Sequence, residues 1–157
     1  MVHNGRQVSA EIEGIVDIAD KPVVARKATA EGWLTLQASS IEAILSGSVK
    51  KGDVREASTI AAIQAVKDTP RLIPHCHPVP VASCKVRWLV EGERLGCVVE
   101  VGAHYRTGIE MEALAGVAAG LLCAYDMVKS FEKDDEGQYP IARIDGLRVV
   151  SKLKSAA

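Results

Sequence analysis

Residues 84–105 read CKVRWLVEGERLGCVVEVGAHY. Apolar and polar side chains alternate over 84–90 and again over 95–105, which is the period of two expected for half-buried strands. The residues between these runs, Glu-Gly-Glu-Arg at 91–94, are typical of a hairpin connection. We therefore predict two adjacent antiparallel strands in this part of the chain.

The sequence on either side of the hairpin predicts two further strands and three helices. Strands are expected at 26–37 and from 140 to 150, and helices at 39–46, 54–68 and 108–132. Ser39 and Glu42 form a capping-box pattern for the short first helix, and Asp53 suits the N-cap of the second. Without the short helix the order is βαββαβ. This order predicts an α+β, ferredoxin-like fold, in which a four-stranded antiparallel sheet carries helices on one face.

Composition indicates the size of the folded unit. The chain has 157 residues, of which 48% are hydrophobic, so we expect a single domain over residues 1–157 with a full core. Within that domain, residues 1–22 are expected to form an irregular N-terminal arm and residues 151–157 a frayed tail.

Charge and hydropathy argue against several classes of partner. The formal net charge is −1 and aromatic residues make up 4% of the chain, which argues against a nucleic-acid surface. No run of about 18 apolar residues is present, so no membrane span is predicted. The first residues lack the apolar core of a signal peptide, and the four cysteines lack CxxC spacing. We therefore expect a cytoplasmic protein with reduced thiols.

The segment 72–80, LIPHCHPVP, places two imidazoles and a thiol on a proline-rich connector. Proline fixes φ at about −65° and biases the preceding residue toward extended geometry, so a stiff extended loop is predicted, with Pro70 at its start. His75 and His77 would then share one face, with Cys76 on the other. The residues alone leave open a packed structural loop, a zinc site and a Cys76 nucleophile, although a zinc ligand set is not evident from their spacing.

Lysines and an aspartate suit phosphate binding and proton transfer. Lys50 and Lys51 precede the helix at 54–68, whose N-terminal N–H groups favour anions; a solvated Lys-Lys turn is the alternative. Asp126 and Lys129 share a helix face at i, i+3 spacing. They form either a surface ion pair or a coupled acid–base pair whose pKa values burial and neighbours move toward neutrality.

The long helix at 108–132 limits what one chain can place around one ligand. Glu110 and Glu112 lie in its first turn, and Asp126 follows Glu112 by about 21 Å at a rise of 1.5 Å per residue. Two such carboxylates cannot contact one small molecule from the same helix, so there are two sites or one site built from two chains. A face of small residues on this helix predicts close approach of another backbone and is a candidate two-fold interface. Its members are Ala115, Gly116, Ala119 and Gly120.

Four segments, in this order and spacing, resemble the cyclic pyranopterin monophosphate synthase family, MoaC. They are KGDV at 51–54, LIPHCHP at 72–78, TGIEMEAL at 107–114 and YDMVK at 125–129. The resemblance extends from about Val16 to the last predicted strand. The chain departs from many family members in its short tail after Val150, which lacks a Lys-Ser-Gly-Gly ending, and in having Val128 where cysteine is common.

The resemblance implies a fold, an activity and an assembly. Family members have the ferredoxin-like fold and form a hexamer, a trimer of dimers, with active sites at the dimer interfaces. They are lyases that convert 3′,8-cyclo-7,8-dihydroguanosine 5′-triphosphate into cyclic pyranopterin monophosphate and release pyrophosphate, in molybdenum-cofactor biosynthesis. They need no metal and no organic cofactor.

The resemblance also implies the site residues. The catalytic aspartate falls on Asp126, and the functional lysines fall on Lys51 and Lys129. The implied substrate-binding residues are His75, Cys76, His77, Glu110, Met111 and Glu112, with Asp17, Lys21 and Arg26 near the site.

The residues themselves suit this chemistry. Lysines can bind a triphosphate, and the Glu112 carboxylate can accept hydrogen bonds from the N–H edge of a guanine-derived ring. Two other classes stay open: a noncatalytic nucleotide-binding module using the same lysines, and a metal-dependent hydrolase using His75 and His77.

Overall fold

A computed structural model describes residues 12–155 and contains one sheet and three helices. In chain order the elements are β1 (Val24–Thr35), α1 (Ala38–Ser46), α2 (Val54–Leu72), β2 (Val81–Glu91), β3 (Arg94–Tyr105), α3 (Glu110–Glu132) and β4 (Arg143–Ser155). The strand order is β2-β3-β1-β4, and every neighbouring pair is antiparallel. The predicted α+β, ferredoxin-like arrangement is confirmed, including the hairpin between β2 and β3.

One face of the sheet carries the core. Ala28, Ala30 and Leu34 of β1 are buried, and the alternation predicted for this strand is confirmed. Gly32 lies on the same face, where an added Cβ would lie 2.9 Å from the side chain of Val117 in α3. The glycine therefore lets α3 pack directly on the sheet.

The small residues of α3 bring it close to α2. An added Cβ at Gly116 would lie 2.7 Å from the Val66 side chain and 3.4 Å from the carbonyl oxygen of Ala62. Gly120 also faces the side chain of Ala62. The predicted backbone approach is confirmed, but its partner is α2 of the same chain. Because α2 already covers both glycines, they cannot contribute to the suggested two-fold interface, and a contribution of the half-buried Ala115 and Ala119 stays a prediction.

The apolar character of α3 follows from its place in the core. By length and composition α3 could cross a membrane, and 56% of its most apolar stretch is buried inside the protein. Val117, Leu121 and Val128 are fully buried between the sheet and the other helices. A core helix accounts for this composition.

The two shorter helices begin differently. Asp53 caps α2 as predicted, since its Oδ1 accepts hydrogen bonds from the N–H groups of Arg55 and Glu56. The capping box predicted at Ser39 is wrong, because α1 starts one residue earlier with Gln37 as N-cap and no cap from its own side chain. Glu132 of α3 accepts the Gln37 N–H instead, at 2.8 Å.

The proline-rich connector is shorter than predicted. Pro70 lies inside α2, and the Thr69 hydroxyl lies 2.9 Å from the Ala65 carbonyl oxygen and 3.2 Å from that of Val66, the carbonyl that receives no N–H from Pro70. After Leu72 the chain turns, and the Cys76 N–H bonds to the Ile73 carbonyl at 2.9 Å. The expectation of extended geometry is therefore wrong up to Cys76.

The tail prediction is also wrong for residues 151–155. β4 continues to Ser155 and pairs with β1 down to Ala25, because the backbone groups on that side of β1 need a strand partner. Residues 12–23 contain neither helix nor strand, as predicted for the arm. The predictions for residues 1–11 and 156–157 lie outside the described residues.

Candidate active site

A cavity of about 520 Å³ lies at the N-terminal end of α3. It is lined by Val16, Ile18, Lys21, His75, Cys76, His77, Val79, Thr107, Gly108, Glu110, Met111, Glu112 and Lys152. Seven of the residues expected at the site are therefore brought together here. The arm, the connector, the segment before α3 and strand β4 each contribute part of the wall.

The two histidines hold the arm over the connector. His77 Nε2 donates to the Val16 carbonyl at 2.7 Å, and His75 Nδ1 donates to the Gly14 carbonyl. They share a face, as predicted. Cys76 also lines the cavity, so the expectation that it points away is wrong, and the turn at 73–76 is the reason. The arm is a wall of the site rather than a free segment.

The two glutamates of α3 differ in ionisation. Burial, followed by the charge of Glu110, raises the pKa of Glu112, whose residue is only 3% exposed. Burial also acts to raise the pKa of Glu110, but the hydrogen bond and charge of Lys152 outweigh it and hold that pKa below its usual value. Glu112 is thus the carboxylate in the cavity that takes up a proton more readily.

The Cys76 thiol is not activated. Burial raises its pKa, and the neighbouring Glu112 carboxylate raises it further. A nucleophilic cysteine requires the opposite shift, toward thiolate at neutral pH. The direction of this pKa shift therefore argues against the Cys76 nucleophile.

Lys152 is a site residue that the sequence did not identify. It pairs with Ala28 in the sheet, lines the cavity and forms an ion pair with Glu110. Lys152 was not predicted as a site residue because residues 151–157 were expected to form a frayed tail. Lys152 lies in the cavity wall because β4 pairs with β1, and no local pattern in residues 151–155 indicates this pairing.

A second cluster lies toward the other end of α3. The Asp126 carboxylate binds the ammonium group of Lys129 at 2.7 Å through Oδ1 and that of Lys51 at 2.6 Å through Oδ2. Lys51 also donates to the Asp126 carbonyl at 3.1 Å. The predicted catalytic residues Lys51, Asp126 and Lys129 are therefore brought together within one chain.

The ionisation of this cluster differs from the expectation. The hydrogen bond from Lys129, followed by that from Lys51, lowers the pKa of Asp126 to about 2. The same bond raises the pKa of Lys129. The predicted shift toward neutrality is wrong for these two groups, because about half of each side chain is exposed and the ion pairs favour the charged forms. In this chain the cluster is one carboxylate that holds two ammonium groups.

The two clusters remain apart. Glu112 and Asp126 lie on the continuous helix α3, about 21 Å apart along its axis. Asp17 is not in the cavity wall, and its Oδ1 accepts the Ala19 N–H at 2.8 Å within the arm. Arg26 donates to the carbonyls of Tyr105 and Arg106, which fixes the segment that leads into the cavity wall.

The described residues offer no evident metal site. Within residues 12–155 no three side chains of histidine, cysteine, aspartate or glutamate are grouped as metal ligands. Cys97 is fully buried in β3, and burial raises its pKa to about 12, which disfavours the thiolate form that a metal ligand requires. The metal-free site stays a prediction.

Known proteins resemble this chain over nearly its whole length. The model of the MoaC family matches residues 15–155. A probable cyclic pyranopterin monophosphate synthase from Sulfolobus acidocaldarius is 47% identical over 141 residues, which is 90% of this chain and 99% of that protein. Proteins of the same name from Thermococcus kodakarensis and Archaeoglobus fulgidus are 48% and 49% identical, each over 89% of this chain and 90% of its own length.

Proposed function

Because this chain belongs to the MoaC family, we infer that it catalyses the reaction for which its relatives are named and forms cyclic pyranopterin monophosphate. The substrate is 3′,8-cyclo-7,8-dihydroguanosine 5′-triphosphate, and pyrophosphate leaves, so the enzyme is a lyase of molybdenum-cofactor biosynthesis. The observation that carries the proposal is the placement of the family segments. They form a cavity with carboxylates at one end of α3 and a lysine–aspartate cluster toward the other.

The cavity suits the ring system of the substrate. Its volume of about 520 Å³ lies in the range of small-molecule sites. The Glu112 carboxylate can accept hydrogen bonds from the N–H groups of a guanine-derived ring. Carboxylates repel phosphate, so we assign the triphosphate to the lysines and the ring to the cavity.

The lysine–aspartate cluster suits phosphate binding and proton transfer. Lys51 and Lys129 present ammonium donors on a common carboxylate, and such donors form strong charge-assisted bonds to phosphate. Opening the purine-derived ring and closing a new one requires several proton transfers. The Asp126 carboxylate raises the pKa of Lys129 and so favours its charged ammonium form, which suits binding of a phosphate. Asp126 orients both lysines.

We propose that each active site combines the cavity of one chain with the Lys51–Asp126–Lys129 cluster of a second chain. The support is geometric: one small substrate cannot extend from Glu112 to Asp126, about 21 Å away along α3. An isologous two-fold interface would bring the N-terminal end of one α3 toward the cluster of its partner and would create two equal sites. A hexamer built as a trimer of such dimers is the assembly proposed.

The direct test is incubation of the purified protein with the cyclised GTP substrate. Equal amounts of pyrophosphate and of the pterin product are expected, and the Asp126→Asn variant should form neither. Binding of the substrate without turnover would instead identify a noncatalytic nucleotide-binding module. Turnover that depends on an added metal ion would favour a hydrolase that uses the histidines.

We propose a cytoplasmic location, because GTP-derived substrates are formed there.

A further inference from the structure

Glu132, the last residue of α3, is fully buried although it carries a carboxylate. Its Oε1 accepts hydrogen bonds from the Gln37 N–H, at 2.8 Å, and from the Ser40 hydroxyl. Among the described residues, its Oε2 has no hydrogen-bond partner. A buried carboxylate is costly unless it is well bonded, so a reason for its presence is required.

The contacts of Glu132 fix the start of α1. Gln37 is the N-cap of that helix, and its N–H is the group that a glutamate at the N3 position of a capping box would bind. Ser40 occupies N3 in α1 and cannot reach back in this way. Glu132 takes that role from another helix and so ties the start of α1 to the end of α3.

The other end of α1 leads directly to Lys51. Gly47 ends the helix in left-handed geometry, and the Ser48 N–H returns to the Ala43 carbonyl at 3.0 Å. The Gly52 N–H then bonds to the Val49 carbonyl, which closes a tight turn around Lys51. The turn is therefore joined to α1 on one side and to α2 on the other, and its position depends on where both helices lie relative to α3.

Lys51 contacts α3 through the Asp126 side chain. Asp126 precedes Glu132 by six residues, so the two are about 9 Å apart along the helix axis. The segment from Gln37 to Lys51 is thus fastened to α3 at both of its ends. One of these attachments is the ion pair of Lys51 with Asp126, in which about half of each side chain is exposed. The other is the buried Glu132 contact.

We propose that Glu132 is a positioning residue for Lys51: by capping α1 from the end of α3, it sets the lysine at the Asp126 carboxylate. The proposal rests on the lyase function above and adds to it a residue that touches neither the cavity nor the cluster. Without the cap, the start of α1 loses its hydrogen bonds to α3, and the position of Lys51 is then set by its ion pair with Asp126 and by α2, which begins three residues later.

Three variants separate positioning from simple stabilisation. Glu132→Ala removes the acceptor, and Glu132→Gln keeps an amide oxygen for Gln37 and Ser40. Ser40→Ala removes one of the two bonds and serves as the test if Glu132→Ala does not fold. Val66→Ala is the matched control, because it creates a cavity in the buried contact of α2 with α3, away from α1.

The first measurement needs no substrate. Reductive methylation followed by mass spectrometry gives the ratio of modification at Lys51 to that at its exposed neighbour Lys50, which serves as the internal reference. Glu132→Ala should raise this ratio severalfold, toward the value in Asp126→Asn, where the ion pair of Lys51 is weakened. Glu132→Gln and Val66→Ala should leave it at the wild-type value.

The second measurement is turnover at a temperature where every variant is folded. Displacing a catalytic group by about 1 Å can cost up to a hundredfold, so a loss of about tenfold in kcat is expected for Glu132→Ala, with most activity restored in Glu132→Gln. An unchanged methylation ratio in Glu132→Ala and Ser40→Ala, with only a lower Tm, would overturn the proposal. An inactive wild type would instead refute the lyase function and would leave the methylation result standing.

Discussion

Mixing two inactive variants tests whether each active site needs two chains. Glu112→Gln damages the cavity at the start of α3, and Lys129→Ala damages the cluster toward its other end. If a site takes its cavity from one chain and its cluster from the other, a mixed dimer contains one doubly damaged site and one intact site. If both parts act within a chain, every site in every dimer is damaged.

The expected recovery follows from random pairing. Equal amounts of the two variants give about half mixed dimers, and half of the sites in each mixed dimer are intact, so roughly a quarter of wild-type activity should return by symmetry. The premise is the length of α3, which separates Glu112 from Asp126 by about 21 Å. The assay is pyrophosphate release after the two chains are unfolded together and refolded, with exchange verified by mass-tagged subunits.

A matched mixture supplies the control. Asp126→Asn and Lys129→Ala are mixed as two single variants, and each substitution alters the Lys51–Asp126–Lys129 cluster of the chain that carries it. Every site in a mixed dimer then contains a damaged cluster, so no activity should return. Lys51→Ala mixed with Glu112→Gln should behave like the first pair, because Lys51 binds Asp126 in its own chain. If the first mixture stays inactive after verified exchange, or if the control mixture recovers equally, the two-chain site is refuted.

Three other results are expected. Lys51→Ala should keep the fold but lose a phosphate contact of about 1.5–3 kcal/mol and at least about a hundredfold in rate, and near-normal activity would remove Lys51 from the site. Glu112→Gln should raise Tm at pH 7, because burial raises the pKa of Glu112 and its charged form then costs stability above that pKa. This gain should shrink as the pH falls through the raised pKa of Glu112 toward the usual pKa of a glutamate and should be absent below the usual value, and calorimetry across pH would contradict the reasoning if the gain grew instead. Prolonged chelation should leave activity unchanged, whereas loss of activity with stoichiometric zinc, restored by returning it, would show a metal requirement.

Elements with local signals were predictable. The alternation of β1 and the N-cap of α2 involve neighbours in sequence, so periodicity and the Asp53 side chain were enough to identify them. Gly116 and Gly120 indicated close packing because interior helix glycines are unfavourable without such a contact, although the sequence did not identify α2 as the partner. The family segments contain Lys51, Asp126 and Lys129 and most of the polar residues of the cavity wall, but not Lys152.

Features that depend on distant contacts were missed. The cap of α1 comes from Glu132, 95 positions after the Gln37 that it binds. Lys152 joins the cavity only because β4 pairs with β1 across the sheet. The turn before Cys76 follows an α2 that continues through Pro70. In the first two cases the deciding contact joins residues far apart in the sequence, whereas the extension of α2 was missed because proline is expected to end a helix.

The charges on α3 explain why a two-chain site would suit this substrate. Glu110 and Glu112 occupy its first turn and Lys129 its last, so each group sits at the helix end whose dipole stabilises it. The arrangement that favours the helix therefore places the carboxylates proposed to bind the ring and the lysine proposed to bind phosphate at opposite ends. A substrate with an N–H edge and a triphosphate needs both groups within one small volume. Two antiparallel copies of α3 related by a two-fold axis can provide that juxtaposition, and they do so without placing like charges together or bending the helix.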